Sequence, residues 1–352
     1  MFRTKIGGVG AFSAAVLLAL SGCAGGATSS DSGTDTSSGD SATTAELPTV
    51  RFQAFSADPA GIPLVVIQEL GLDEKYGFKA EIVEVDPDAA ATNILIGGAD
   101  VAVEQDAVNA TLGQQQGYDM VVFYPTLNTM MSMVVLEDSP YQTPADLVGK
   151  RVGHFGVDSG TTSVIALMLK ELYDIDFFTD YDLREVGPAA LPELLISGEV
   201  DAIINYEPLA LRAVIQGPGR YIFEPAKAWA AENEGWSPYL TNLAASKAWL
   251  EANPEVALGV LEAWKEAVTV ISDSNYEIFA EEPYKTWISA GDDEELAAFI
   301  AYCADLPCYQ EGFTQGDVDQ LTSWLQLMVD NGVLLDAMPT EPVAVVLEDL
   351  LK

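Results

Sequence analysis

"VGHFGVDSGTTSVIALMLK", residues 152–170, reads as a short strand, a polar loop and then an apolar helix. The first N–H groups of a helix have no partner inside it, so such a loop presents donors to something. Asp158 or Ser159 can cap the helix, and Gly160 permits a close backbone approach. Thr161, Thr162 and Ser163 add hydroxyls at the same end. Two readings stay open here: a plain cap, or one wall of a binding site.

The same strand–loop–helix rhythm runs outward in both directions. Upstream it predicts strands over 50–55, 79–85, 100–104, 120–124 and 131–136, with helices over 62–72 and 89–96. Downstream it predicts strands over 150–155, 183–186 and 201–205, with helices from Thr161 and over 191–196. This alternation marks an α/β fold with parallel sheets covered on both faces. "NILIGGADVAV" (93–103) and "ELLISGEVDAII" (193–204) share a helix–Gly–Asp–strand pattern. That pattern is either a lobe plan used twice or ordinary helix-to-strand turn chemistry. Beyond 245 the chain turns mostly helical, with helices over 254–271, 292–303 and 316–334 whose first turns are rich in Asp and Glu.

Polar clusters recur where strands end: "SADPAG" (56–61), "EQDAVN" (104–109), "YPTLNT" (124–129) and "NYEP" (205–208). Ligands of open α/β sheets bind outside the carboxyl ends of the strands, so these loops predict one polar cleft. Its candidate lining is Phe55, Ser56, Asp58, Gln105, Asp106, Tyr124, Asn128, Asp158, Ser159, Gly160, Thr161, Thr162, Asn205, Tyr206 and Glu207. Phe55, Tyr124 and Tyr206 can offer ring faces, and Asp58, Gln105, Asp106 and Asn128 polar contacts. Glu207 can accept from an exocyclic amine, or it can be a first-turn acid beside Pro208 at a helix start. None of these clusters contains Lys or Arg, which favours a neutral or amine-bearing solute over a small anion.

An enzyme reading rests on "VDSG" and on His154, the only histidine, five residues before Ser159. A hydrolase would need that histidine as base to the serine. His154 falls within a strand, no G-x-S-x-G elbow is present, and no zinc, P-loop or dinucleotide motif occurs. No catalytic residue, cofactor or metal is therefore expected. With 54 acidic against 16 basic residues and a net charge of −38, nucleic acid is a poor partner.

The amino end reads as a leader. Arg3 and Lys5 precede the apolar "AAVLLAL", and "LSGC" ends at Cys23 like a bacterial lipobox. This predicts a lipoprotein signal over 1–22, lipid on Cys23, and a flexible Gly/Ser/Thr/Asp tether over 23–47. The body is then expected on the extracytoplasmic face of the cell membrane, as a monomer held by its lipid. Cys303 and Cys308 can form a disulfide in such a compartment, with a metal pair as the rival reading.

"GIPLVVIQELGLDEKYGFKAEIVEV", "GGADVAVEQ", "DLVGKRVGHFGVDSGTTSVIALMLKEL" and "LLISGEVDAIINYEPLALRAV" resemble, in order, the solute-binding proteins of ABC importers for nitrate, sulfonates, taurine and thiamine-precursor pyrimidines. The resemblance implies a two-lobed, type II periplasmic-binding-protein-like fold with the ligand cleft between the lobes. By that analogy lobe one is 48–143 plus 245–352 and lobe two is 144–244. It also implies a small-molecule ligand and a permease as partners. "INYEPLA" (204–210) is similar to an element of the thiamine-pyrimidine branch. A sulfonate, taurine, nitrate or bicarbonate is the alternative ligand.

Overall fold

The computed structural model describes residues 46–55, 58–157, 159–288, 290–333 and 336–352. The leader, most of the tether, Cys23 and the candidates Ser56 and Asp158 lie outside the described residues. The strands are β1 (Thr49–Phe55), β2 (Lys79–Val85), β3 (Val101–Gln105), β4 (Met120–Asn128), β5 (Met131–Leu136), β6 (Arg151–His154), β7 (Asp182–Glu185), β8 (Ala202–Tyr206), β9 (Gly219–Phe223) and β10 (Tyr239–Ser246). They form two five-stranded sheets, ordered β2-β1-β3-β10-β4 and β7-β6-β8-β5-β9.

Both sheets are mixed, which corrects the parallel expectation. β1 runs parallel to β2 and β3, and β6 parallel to β7 and β8. β10 is antiparallel to β3 and β4, and β5 is antiparallel to β8 and β9. The antiparallel strand in each sheet is the one that crosses over. β5 joins the second sheet after only Thr129 and Met130, and β10 returns to the first. Sheet membership therefore changes near 129–130 and again before 239, earlier than the expected 143 and 245.

The echoed pattern resolves as one plan used twice. Arg51, in β1, donates from its backbone N–H and Nε to Asp100 Oδ2, from Nη2 to Asp100 Oδ1, and from Nη1 to the Gly98 carbonyl. Arg151, at the start of β6, makes the matching set to Asp201 and the Glu199 carbonyl. A planar guanidinium matched to a carboxylate fixes both distance and angle, so each fork sets the lower edge of its sheet.

Around the sheets, helices form where caps and apolar faces agree. Thr314 opens the helix Gln315–Asp330 through a capping box with Asp317. The long helix Pro254–Asp273 buries Val260, Trp264, Ala267 and Ile271. Its Gly259 lies so close to the chain beneath that an added Cβ would fall 2.4 Å from the Tyr76 carbonyl oxygen. The helix Asp293–Asp305 turns one first-turn acid inward: Glu295 is fully buried, and Arg212 Nε donates to both its oxygens at 3.0 and 3.1 Å. Cys303 and Cys308 are joined by a disulfide, so they are not a metal pair. Among the described residues no helix is long and apolar enough to cross a membrane.

Candidate functional site

Parallel pairing of β1 with β3 and of β6 with β8 puts Phe55, Gln105, His154 and Tyr206 at the carboxyl edges of their sheets. Just past those edges the two halves meet. The helix Gly160–Tyr173 begins at a buried Gly160, and an added Cβ there would fall 2.2 Å from Asp106 Oδ1 and 3.0 Å from its Oδ2. Only a residue without a side chain lets that helix start approach the carboxylate so closely. Asp106 is held in place as a helix cap, accepting from Asn109 N–H and Asn109 Nδ2, both at 2.7 Å. Burial pushes its carboxyl above the usual range.

Asp58 and Glu104 complete an acidic group on the first-sheet side. Asp58 Oδ1 accepts the Ala60 N–H at 2.8 Å. Part of Asp58 meets solvent, yet the surrounding protein crowds its carboxyl enough to push it up to about 6. Glu104 Oε1 accepts the Phe55 N–H at 3.1 Å, while Oε2 is sealed from solvent with no partner among the described residues. Burial first, and then the charge of Asp58, hold the Glu104 carboxyl well above the ordinary value. Among the described residues, no lysine or arginine is a leading influence on the titration of these three acids.

Opposite them lies an aromatic pair. Tyr206 packs edge to face on Phe155, with centroids 5.7 Å apart. Burial, and then the charge of Asp58 across the cleft, push the Tyr206 hydroxyl up to about 12. Phe155 and Glu104 were missed in the sequence. Glu104 had a signal, since it is a lone acid in the otherwise apolar run "VAVEQ", where an uncompensated charge is costly.

Several sequence candidates prove to be committed elsewhere. Tyr124 is mid-strand, because β4 continues to Asn128, and its hydroxyl donates to the Gln310 carbonyl at 3.0 Å. Asn128 Nδ2 donates to the Pro307 carbonyl, tying β4 to the disulfide loop. Glu207 is fully buried, so it offers no free carboxylate to a solute. Its Oε1 accepts from Ser132 Oγ at 3.0 Å and its Oε2 from the Leu211 N–H at 2.7 Å. Asn205, also buried, donates to the Pro188 carbonyl. Gln105 donates to its neighbour's carbonyl at 3.2 Å. Ser159 makes no side-chain cap; its carbonyl instead accepts from Ser163. Thr162 is buried within the first turn and Thr161 lies beside it, partly exposed.

His154 is not poised as a base for Ser159. Its Nδ1 accepts the Gly156 N–H at 3.2 Å, and its ring packs edge to face on Phe177. Burial lowers its pKa. No cluster of metal-ligating side chains occurs among the described residues. A groove of about 420 Å³ lined by Trp229, Trp236 and Trp324 contains none of the strand-end acids.

Comparison with known proteins agrees with this architecture. The periplasmic aliphatic sulphonate-binding protein SsuA of Escherichia coli is similar at 19% identity and a TM-score of 0.64, over 86% of this chain and 97% of that one. The alkanesulfonate-binding protein SsuA of Xanthomonas axonopodis pv. citri, bound to MOPS, has 16% identity and a TM-score of 0.66, over 86% and 99%. The desulfurization enzyme DszB shares the fold as well, at 14% identity and a TM-score of 0.58, over 86% and 99%, so the scaffold alone does not decide between binding and catalysis. No curated protein sequence matches. The two sheets, their crossing strands and these likenesses make the fold that of a two-lobed, type II periplasmic binding protein, with its cleft between the lobes. The NMT1/THI5-like family model matches residues 58–275, more than half of the chain, and the protein belongs to that family.

Proposed function

We propose that this protein is a lipid-anchored, extracytoplasmic solute-binding protein that captures a small molecule between its lobes and delivers it to the permease of an ABC importer. Its activity is binding without turnover. The solute is a planar, neutral or amine-bearing heteroaromatic, of which a thiamine-precursor pyrimidine is the type, ahead of a sulfonate or other small anion. The observation that carries this preference is Asp106. A helix amino terminus is the natural seat for an oxyanion, and here the protein's own carboxylate stands against Gly160 at that seat. Tyr206 and Phe155 supply aromatic surface on the other side.

The rival reading draws on the SsuA proteins, whose names record sulphonate and alkanesulfonate binding. It would need donors or a cation where Asp58, Glu104 and Asp106 stand. A calorimetric screen of aminopyrimidines against sulfonates, nitrate and bicarbonate separates the two. Aminopyrimidine binding is expected, and recovery of the compound unchanged excludes turnover. Tight binding of an oxyanion alone would reverse the preference.

A further inference from the structure

We infer that the solute enters the cleft as an organic cation, its charged N–H group received by Asp58 and Glu104; this rests on the small-solute reading above. Glu104 is the specificity-determining residue. One of its oxygens is used by the Phe55 N–H, and the other is shut off from water with nothing among the described residues to accept from. An unmatched buried acceptor on a charged group is costly, so the site lacks a donor that a bound molecule would supply. Asp58 stands close enough to act on Glu104 by its charge; Glu104 accepts the Phe55 N–H in β1, and Asp58 accepts the Ala60 N–H in the turn after it.

Among the described residues, the groups facing this pair add no positive charge. Tyr206 approaches from β8, and Tyr309, from the segment beyond the disulfide, donates its hydroxyl to the Pro59 carbonyl at 2.7 Å. Both tyrosines feel the charge of Asp58, which places them around it. Two carboxylates sharing a site without a counter-ion cannot both ionise comfortably. Burial raises both carboxyls, and the charge of Asp58 raises Glu104 further. A cation with N–H donors satisfies the free oxygen and removes the repulsion. A neutral molecule of the same outline does only the first, and an anion does none of these. The ring of such a cation lies against Tyr206 and Phe155, where aromatic faces also favour positive charge.

The test uses three probes with one ring and three charges: benzamidinium, benzamide and benzenesulfonate, titrated calorimetrically into the native protein near neutral pH. Benzamidinium should bind about 10- to 100-fold more tightly than benzamide, the scale of a charge-assisted hydrogen bond. Its affinity should fall by about 10-fold on acidification through the range where Asp58 takes up its proton. Glu104→Gln should bring the two affinities together, whereas Glu104→Asp should keep their order. The pH series on native protein stands even if a variant fails to fold. Equal affinity for benzamide, or tightest binding of benzenesulfonate, overturns the cation inference and leaves the solute-binding reading intact. If none of the three binds, the aromatic reading of the cleft falls and this inference with it.

Discussion

Gly160→Ala tests whether the two lobes really meet at Asp106. The added methyl would lie 2.2 Å from Asp106 Oδ1, 2.7 Å from Cγ and 3.0 Å from Oδ2. Ordinary contact needs more than an ångström of extra room there. Asp106 cannot simply swing away, because both its oxygens are engaged by Asn109 at 2.7 Å. The helix start must therefore back off, and overpacking of this kind costs about 1–3 kcal/mol. The cost falls on closure rather than on folding, since each sheet keeps its own ladder when the lobes part. The variant is expected to lose about 5- to 150-fold in solute affinity, with its melting temperature nearly unchanged. Small-angle scattering of the unliganded protein should show a larger radius of gyration. Adding Asp106→Ala should restore compactness, because the obstructing carboxylate is gone. The reasoning fails if Gly160→Ala binds as tightly as the native protein, or if it lowers the melting temperature without changing the scattering.

Other expectations follow from the same geometry. Burial raises the Glu207 carboxyl from 4.5 to about 7, so its stabilisation is full below the unfolded value and is lost as pH rises through the folded one. That term is on the order of 3 kcal/mol, and Glu207→Gln should flatten the native fall in chemical stability between acid and neutral pH. Arg51→Ala and Arg151→Ala remove one fork each, and because both pairs are partly exposed each should lower the urea midpoint only modestly. Double-variant additivity in urea unfolding would show that the forks act on separate sheets. Replacing Cys303 and Cys308 with Ser should cost about 2 kcal/mol, and amide exchange should quicken at Asn128, whose N–H donates to the Cys308 carbonyl. Cys23→Ala should release the protein from washed membranes in a folded state; retention there would contradict the lipid anchor.

The βα rhythm was legible because local periodicity reports it, and β1, β2, β5 and the helix over 191–196 lie where it put them. β9 and β10 went unread. Their pairing is with strands far off in sequence, and "TNLAAS" carries neither a turn signal nor a clear alternation. Position at a strand end put Asp58, Asp106, Gly160 and Tyr206 among the candidates, and the structure places them at or just beyond the strand ends. It did not reveal direction. Glu207, one residue past β8, stands near the right edge and is used elsewhere, while Tyr124 lies in the middle of a strand that runs on to Asn128. The forks left only a faint echo, since an arginine and its aspartate stand 49 residues apart in one lobe and 50 in the other.

The crossing strands also bear on how the chain can be made. β3 and β4 are not neighbours in their sheet; β10 lies between them and bonds to both. Until Ser246 has emerged, β4 has no ladder partner in the first sheet, and β5, two residues further on, is already drawn to the other. The first half therefore cannot settle early and alone, as sequential domains commonly do during synthesis, although β5 to β9 complete the second sheet before β10 begins. For a chain that must stay threadable until it has passed through a membrane, as the proposed export requires, that delay is an advantage. Its final closing strand works as a late stitch, drawn only when about seven-tenths of the polypeptide is across.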